Sequence, residues 1–301
     1  MNLIDYPNFL SENEIKEIEK TIFSLRPYWK NMLEYPHYVE RKRILSSDFS
    51  KNMLSYIKKK FISQEVEYTD ELIANISEYF IKYFNIAKVD ILRNKDFFIK
   101  IFDIIKKSEY VDISLIEKIL FQICTIDRCQ NMLGDAIYLL GSGDENSKKS
   151  NINWEVQDIL KKEFEYLHNK TCNSISSIFG VNCELDNTLP CPGFHIFGLC
   201  ESVKCEYHYH QDVSILDYYQ DVDPEKIYSF VSLIKSTSDG SHIEFGDYNL
   251  KKYYKFGTLH FWKGLQNHRI GTFSLKDNEF RITYQGHMYF DEKNKTYKMY
   301  F

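Results

Sequence analysis

Apolar positions along the first half of the chain recur at helical spacing. Ser11-Glu12-Asn13-Glu14 has the form of a capping box, and Ile15, Ile18, Ile22 and Leu25 follow on one face. A second helix is expected from about Asp70, with Leu72, Ile73, Ile76, Tyr79, Phe80 and Tyr83 on its apolar side. Two more are expected over roughly Asp96–Lys107 and Ser114–Leu133. A polar, glycine-containing run from Gly141 to Ser150 marks the expected boundary, followed by one long helix from about Asn153 to Phe179. From Pro192 the period changes to two. Strands are expected at Phe194–Leu199, Val203–Tyr209, Tyr228–Ile234, His242–Phe245, Thr258–Trp262, Arg269–Phe273, Phe280–Met288 and Thr296–Phe301. Turn residues such as Asp239-Gly240 and Lys263-Gly264 separate them. The predicted class is α+β: an α-helical N-terminal region over 1–150, then residues 151–301 as a leading support helix and a strand-rich barrel or sandwich.

Composition agrees with that division. Nine of the twelve glycines lie at or after Gly180, and seven of the nine histidines lie between His195 and His287. With 44% apolar and 16% aromatic residues in 301, the chain has ample surface to bury. Its 38 Lys+Arg against 43 Asp+Glu are interspersed, so no charge excess points to nucleic acid. Met1-Asn2-Leu3-Ile4-Asp5 has no basic n-region, and apolar runs such as Phe97–Phe102 are cut by charge well short of a membrane span. Seven cysteines, an odd number, fit reduced thiols and a cytoplasmic location.

The candidate chemistry lies in the strand-rich half. In an extended chain His210 and Asp212 project from the same side and can reach one point. His268 comes 58 residues after His210, where a strand (Gly257-Thr258-Leu259-His260-Phe261-Trp262) passes through a glycine turn into the next strand. Two imidazoles and one carboxylate on one face of a metal leave positions open, which suits non-haem Fe(II) and O₂ chemistry. Arg281 follows His268 by thirteen residues, and its planar fork can pair with a carboxylate. Thr283 faces the same way with a hydroxyl.

This ordered set, H-x-D, a distal His, then R-x-T, resembles the 2-oxoglutarate/Fe(II)-dependent oxygenase superfamily. The resemblance runs from His195 to about Gln285. The flanks Pro192–Phe197 and Arg281–His287 look like a bacterial subgroup of it. It implies a double-stranded β-helix, a jelly-roll or cupin-like barrel, in which His210, Asp212 and His268 hold Fe(II), and Arg281 with Thr283 holds the distal carboxylate of 2-oxoglutarate. With O₂, such an enzyme oxidises an unactivated C–H bond and releases succinate and CO₂. Because Asp212 is a carboxylate, where halogenating relatives carry a small residue, the resemblance favours hydroxylation, desaturation or ring closure. By the same analogy the substrate is a small molecule, with no nucleic-acid or membrane partner; His195, Tyr207 and Trp262 are candidates to line its pocket.

Other readings of these residues stand beside it. His208 and His210 could open a cupin-type site, but Ser214 stands where a Glu is wanted. His260 could replace His268, yet it lies mid-strand. Arg269 alternates away from His268's face. Cys191, Cys200, Cys205 and His208 have no zinc-type C-x₂₋₄-C spacing, and Cys124 and Cys129 read as core. Two other functions compete: a catalytically silent barrel that binds a ligand or protein, and a protein or peptide hydroxylase.

Overall fold

A computed structural model of the chain describes residues 3–32, 35, 69–72, 74–75, 130–141, 144–198, 203–205, 207, 209–238, 240–276 and 279–301. The chain forms two compact units, one made of Met1–His37 with Cys129–Phe301 and the other of Tyr38–Arg128. In the second unit, residues 70–72 and 74–75 are helical, and Leu72 N–H is capped by Thr69 Oγ1 at 3.1 Å. The remainder of that expected helix, the one at 96–107, most of the one at 114–133, and Cys124 and Cys129 lie outside the described residues.

The first unit centres on one large antiparallel sheet. Its strands run in the order β1 (Ile4–Tyr6), β10 (Leu259–Lys263), β7 (Tyr228–Lys235), β13 (Arg281–Asp291), β5 (Gly193–Phe197), β3 (Gln130–Leu133) and β2 (Lys30–Asn31). The far half of β13 also pairs β14 (Thr296–Tyr300), and β14 pairs β4 (Cys183–Leu185) in parallel. The expected boundary near residue 150 therefore does not separate a helical region from the sheet, because β1, β2 and β3 all precede it. Gln130–Leu133, expected as the end of a helix, is a fully buried strand between β2 and β5. Tertiary pairing overrides local spacing there.

Alternation along β13 builds two different faces. Ile282, Tyr284, Gly286 and Met288 share one face with Phe194 and Ile196 of β5, Phe230 and Ile234 of β7, and Leu259 and Phe261 of β10. This face packs on three helices. Helix α1 (Glu12–Ser24) begins with the capping box, both halves of it present, and buries Ile15, Ile18 and Ile22. A short helix α2 (Glu145–Lys149), capped by Asp144 and not one of these three, lies in the polar run expected to be the boundary. The expected single helix from 153 to 179 is two, α3 (Trp154–Glu163) and α4 (Glu165–Phe179). The break falls at Phe164, whose φ of −116° and ψ of 22° leave the helical region while its ring is buried 4.6 Å from that of Phe194. Burial of that ring fixes the corner.

The opposite face is covered by two smaller sheets. One has the order β11 (His268–Ile270), β8 (His242–Phe245) and β9 (Leu250–Tyr253); the other pairs β12 (Phe273–Leu275) with β6 (Val203–Cys205). Ile243 and Phe245 pack on Val231 and Trp262 of the large sheet, and Phe273 and Leu275 pack on Phe197. The expected strand over 269–273 is thus split between β11 and β12, with Gly271 between them, where a Cβ would lie 2.1 Å from the His242 ring. Of the expected strand over 203–209, Val203–Cys205 is strand and Tyr207 and Tyr209 are not, while 206 and 208 lie outside the described residues. Among the described residues no helix is long and apolar enough to cross a membrane.

Candidate metal centre

His210, Asp212 and His268 converge between the large sheet and the smaller sheets, and one donor atom from each lies within 4.8 Å of the others. Backbone pairing brings them together. His210 N–H donates to His268 O at 2.8 Å and His268 N–H to His210 O at 2.9 Å, which sets the two imidazoles side by side with centroids 4.6 Å apart. Two residues on, Asp212 N–H donates to Gly264 O at 2.8 Å. A side chain at Gly264 could not coexist with this, since its Cβ would lie 2.6 Å from Asp212 O. The glycine turn therefore admits the 210–212 segment against β10 and β11.

The donor set fits a metal. His268 Nδ1 lies 2.8 Å from the carbonyl of Gln266, so Nδ1 carries the proton and Nε2 faces the cluster, 3.1 Å from Asp212 Oδ2. His210 Nε2 lies 3.6 Å from Asp212 Oδ1. Burial opposes ionisation of Asp212, but the neighbouring His268, His287 and His210 hold its carboxyl well below the usual range. Burial likewise depresses His210; for His268, burial is overridden by the Asp212 carboxylate, which pushes the imidazole upward. An ionised carboxylate with two imidazoles aimed at it is the set that a divalent cation can take over from a proton. The side chain of His210 is half exposed, so the cluster opens to solvent on that side.

The face of β13 turned toward this cluster carries Arg281, Thr283, Gln285 and His287. Arg281 is 1% exposed, and its guanidinium carbon lies 5.3, 5.6 and 5.0 Å from the rings of Phe197, Tyr254 and Phe273. A register shift in the β13–β7 pairing falls between Ile282 and Thr283, beside the two residues expected to bind an anion. Thr283 Oγ donates to Gln285 Oε1 at 3.3 Å. Burial, then Arg281, lowers His195 to about 3, so its ring is neutral. It is hydrogen-bonded to Gln130 (3.3 Å), Tyr138 (3.2 Å) and Gln285 (3.0 Å). Tyr207 joins this network by donating to Gln130 Oε1 at 2.7 Å. Trp262 is buried with its ring 5.1 Å from that of His268.

The rival candidates lie elsewhere. His260 is bonded to Asp5 Oδ1 at 2.8 Å on the β1 side of the sheet. Arg269 is engaged by Glu244, at 2.8 Å from Nε and 2.7 Å from Nη2, as its alternation from His268 requires. His208 and Cys200 lie outside the described residues. Sequence reasoning missed Gln130, Gln285, Ser229 and His287. Period-two alternation from Arg281 and Thr283 was signal enough for Gln285 and His287. No local signal marks Ser229, the second residue of the largely apolar β7, which donates to Asp212 Oδ2 at 2.6 Å.

No protein-family model and no curated protein matches the chain. Among solved structures, it is similar to an N-substituted L-amino acid dioxygenase from Burkholderia ambifaria in complex with alpha-KG. The identity is 10% and the TM-score 0.38, over 56% of this chain and 76% of that one. It is also similar to a viral collagen prolyl hydroxylase of Paramecium bursaria Chlorella virus-1, at 14% identity and TM-score 0.24, over 58% and 87% of the two chains. A prolyl-4-hydroxylase of Pseudomonas putida gives 13% identity and TM-score 0.26, over 53% and 71%. All these neighbours are 2OG-Fe(II) oxygenase family structures; the overlaps are partial and the identities low.

Proposed function

We propose that the chain is a 2-oxoglutarate- and Fe(II)-dependent oxygenase built on a double-stranded β-helix, oxidising an unactivated C–H bond of a small molecule. The observation that supports this reading is the meeting of His210, Asp212 and His268 on the sheet face that also carries buried Arg281. In this reading the β-helix core is the unit of Met1–His37 with Cys129–Phe301.

When bound, Fe(II) couples oxidative decarboxylation of 2-oxoglutarate by O₂ to removal of hydrogen from the substrate. The chain's own residues hold and exclude. His210, Asp212 and His268 would hold the metal through two nitrogens and one carboxylate oxygen. Arg281 pairs its fork with the distal carboxylate of 2-oxoglutarate, with Thr283 beside it. The rings of Phe197, Tyr254 and Phe273 keep water from that pair and so strengthen it. Neutral His195, with Tyr207 and Trp262, forms wall on which a substrate is positioned. The carboxylate of Asp212 occupies the place a halide would need, which favours hydroxylation, desaturation or ring closure.

Anaerobic titration of the apo-protein with Fe(II) and 2-oxoglutarate tests the reading. The expected result is a saturable visible charge-transfer band at one equivalent, absent in His268→Ala. A folded protein that gives no band would favour the silent-barrel alternative.

A further inference from the structure

We infer that Ser229 and His287 form a hydrogen-bond relay that positions Asp212 for metal binding; this rests on the metal-site reading above. Ser229 on β7 and His287 on β13 are directly opposite in the sheet register. Ser229 Oγ donates to Asp212 Oδ2 at 2.6 Å, and His287 Nδ1 lies 2.9 Å from the same Oγ. An ionised carboxylate only accepts, so the hydroxyl proton is committed to Asp212. The hydroxyl lone pairs then accept from His287, and Nδ1 must be the protonated ring nitrogen. Nδ1 itself stands 3.8 Å from Asp212 Oδ2, beyond hydrogen-bond reach, so Ser229 is the necessary intermediary.

The geometry separates this relay from ordinary sheet packing. The next residues on the same face of β7, Val231 and Leu233, are apolar, so strand pairing asks for no hydroxyl at 229. Asp212 is held at its main chain by Gly264, but nothing in that bond fixes rotation about its Cβ–Cγ axis. The short bond from Ser229 does so. His287 in turn fixes the hydroxyl rotor, and its own ring rests against Tyr300, 5.4 Å between centroids. Ser229 and His287 touch neither substrate nor metal in this scheme; they are positioning residues that act through Asp212.

Co(II) titration of the apo-protein, followed by its visible ligand-field absorbance, tests the relay without turnover, alongside the thermal midpoint of each metal-free variant. Ser229→Ala is expected to weaken Co(II) binding about 10- to 100-fold and to change the shape of the ligand-field spectrum. His287→Asn places an amide nitrogen as many bonds from Cα as Nδ1 and is expected to retain near-native affinity. His287→Gln moves the donor one bond farther out and is expected to weaken binding as Ser229→Ala does. Should Ser229→Ala fold poorly, the His287 pair gives the same comparison. Co(II) affinity within twofold of wild type in Ser229→Ala, or equal losses in His287→Asn and His287→Gln, overturns the relay. Loss of the midpoint without loss of affinity assigns both residues to packing and also overturns it. Wild-type protein that takes up no Co(II) instead overturns the metal-site reading itself.

Discussion

The two faces of the large sheet are made by the same strands and do opposite work. On β13, Ile282, Tyr284 and Met288 alternate with Arg281, Thr283, Gln285 and His287, and all seven are buried or nearly so. The first set meets the helices, where dense apolar contact stabilises the fold without regard to charge. The second set meets the small sheets, on the side that also holds a buried guanidinium, the neutral imidazole of His195 and the Asp212 carboxylate. Burying such groups opposes stability unless each is hydrogen-bonded or paired. One face therefore holds the chain together, and the other uses that rigidity to keep costly groups in place.

If that division is right, substitutions on the two faces separate binding from stability. Asp212→Ala is expected to abolish tight Fe(II) binding while the protein keeps its fold; retained stoichiometric iron would remove Asp212 from the ligand set. Phe194→Ala, on the helix face, is expected to cost about 3–5 kcal/mol of unfolding free energy, because the ring is fully buried against Phe164 and Tyr284. Metal affinity of the folded fraction should stay near wild type; urea unfolding with parallel metal titration measures both. Arg281→Ala should raise the 2-oxoglutarate requirement about 100-fold, equivalent to roughly 3 kcal/mol for a lost charge-assisted pair, and leave Fe(II) affinity little changed. A drop in both would merge the two halves of the inner face into one site.

How much of this was legible in the sequence follows the range of the forces involved. Alternation is local, so β8 was readable at its observed bounds and β13 nearly so; the capping box at Ser11 and Glu14 was equally visible. The H-x-D pair and His268 were legible because glycine at 264 and spacing by two are written in the chain. What pairs across the sheet was not. Gln130–Leu133 takes its strand from neighbours on β2 and β5, and the corner at Phe164 comes from a distant ring. Ser229 and His287 meet only because β7 and β13 are in register. Neither residue announces the other.

The remaining effects expected lie in the pH dependence of the metal-free protein, and the two that can be isolated by substitution belong to the helix face. His168 on α4 is 1% exposed, with Nε2–H donating to Pro192 O at 3.0 Å, and burial lowers it to about 4. Its folded pKa lies below the unfolded value near 6.5, so the stability it contributes is complete above pH 6.5. That stability is lost as pH falls toward 4, by about 3 kcal/mol at most. His195, lowered to about 3 on the other face, adds to the same slope. Glu14 acts in a later window. Burial opposes its charge, but Lys170, Tyr166 and Ser11 hold it at about 2, joining α1 to α4. Its contribution is present above pH 4.5 and lost from there toward 2, and partial solvent screening limits it to about 1 kcal/mol. Urea unfolding from pH 7 to 3 should therefore show His168→Gln flattening the upper part of the curve, leaving a residual slope from His195 and the other lowered imidazoles, His210, His260 and His287. Glu14→Gln should flatten only the part below pH 4.5. A Glu14→Gln curve altered above pH 5 would show that the contact between α1 and α4 is coupled to the imidazoles, and the two faces would then no longer be independent.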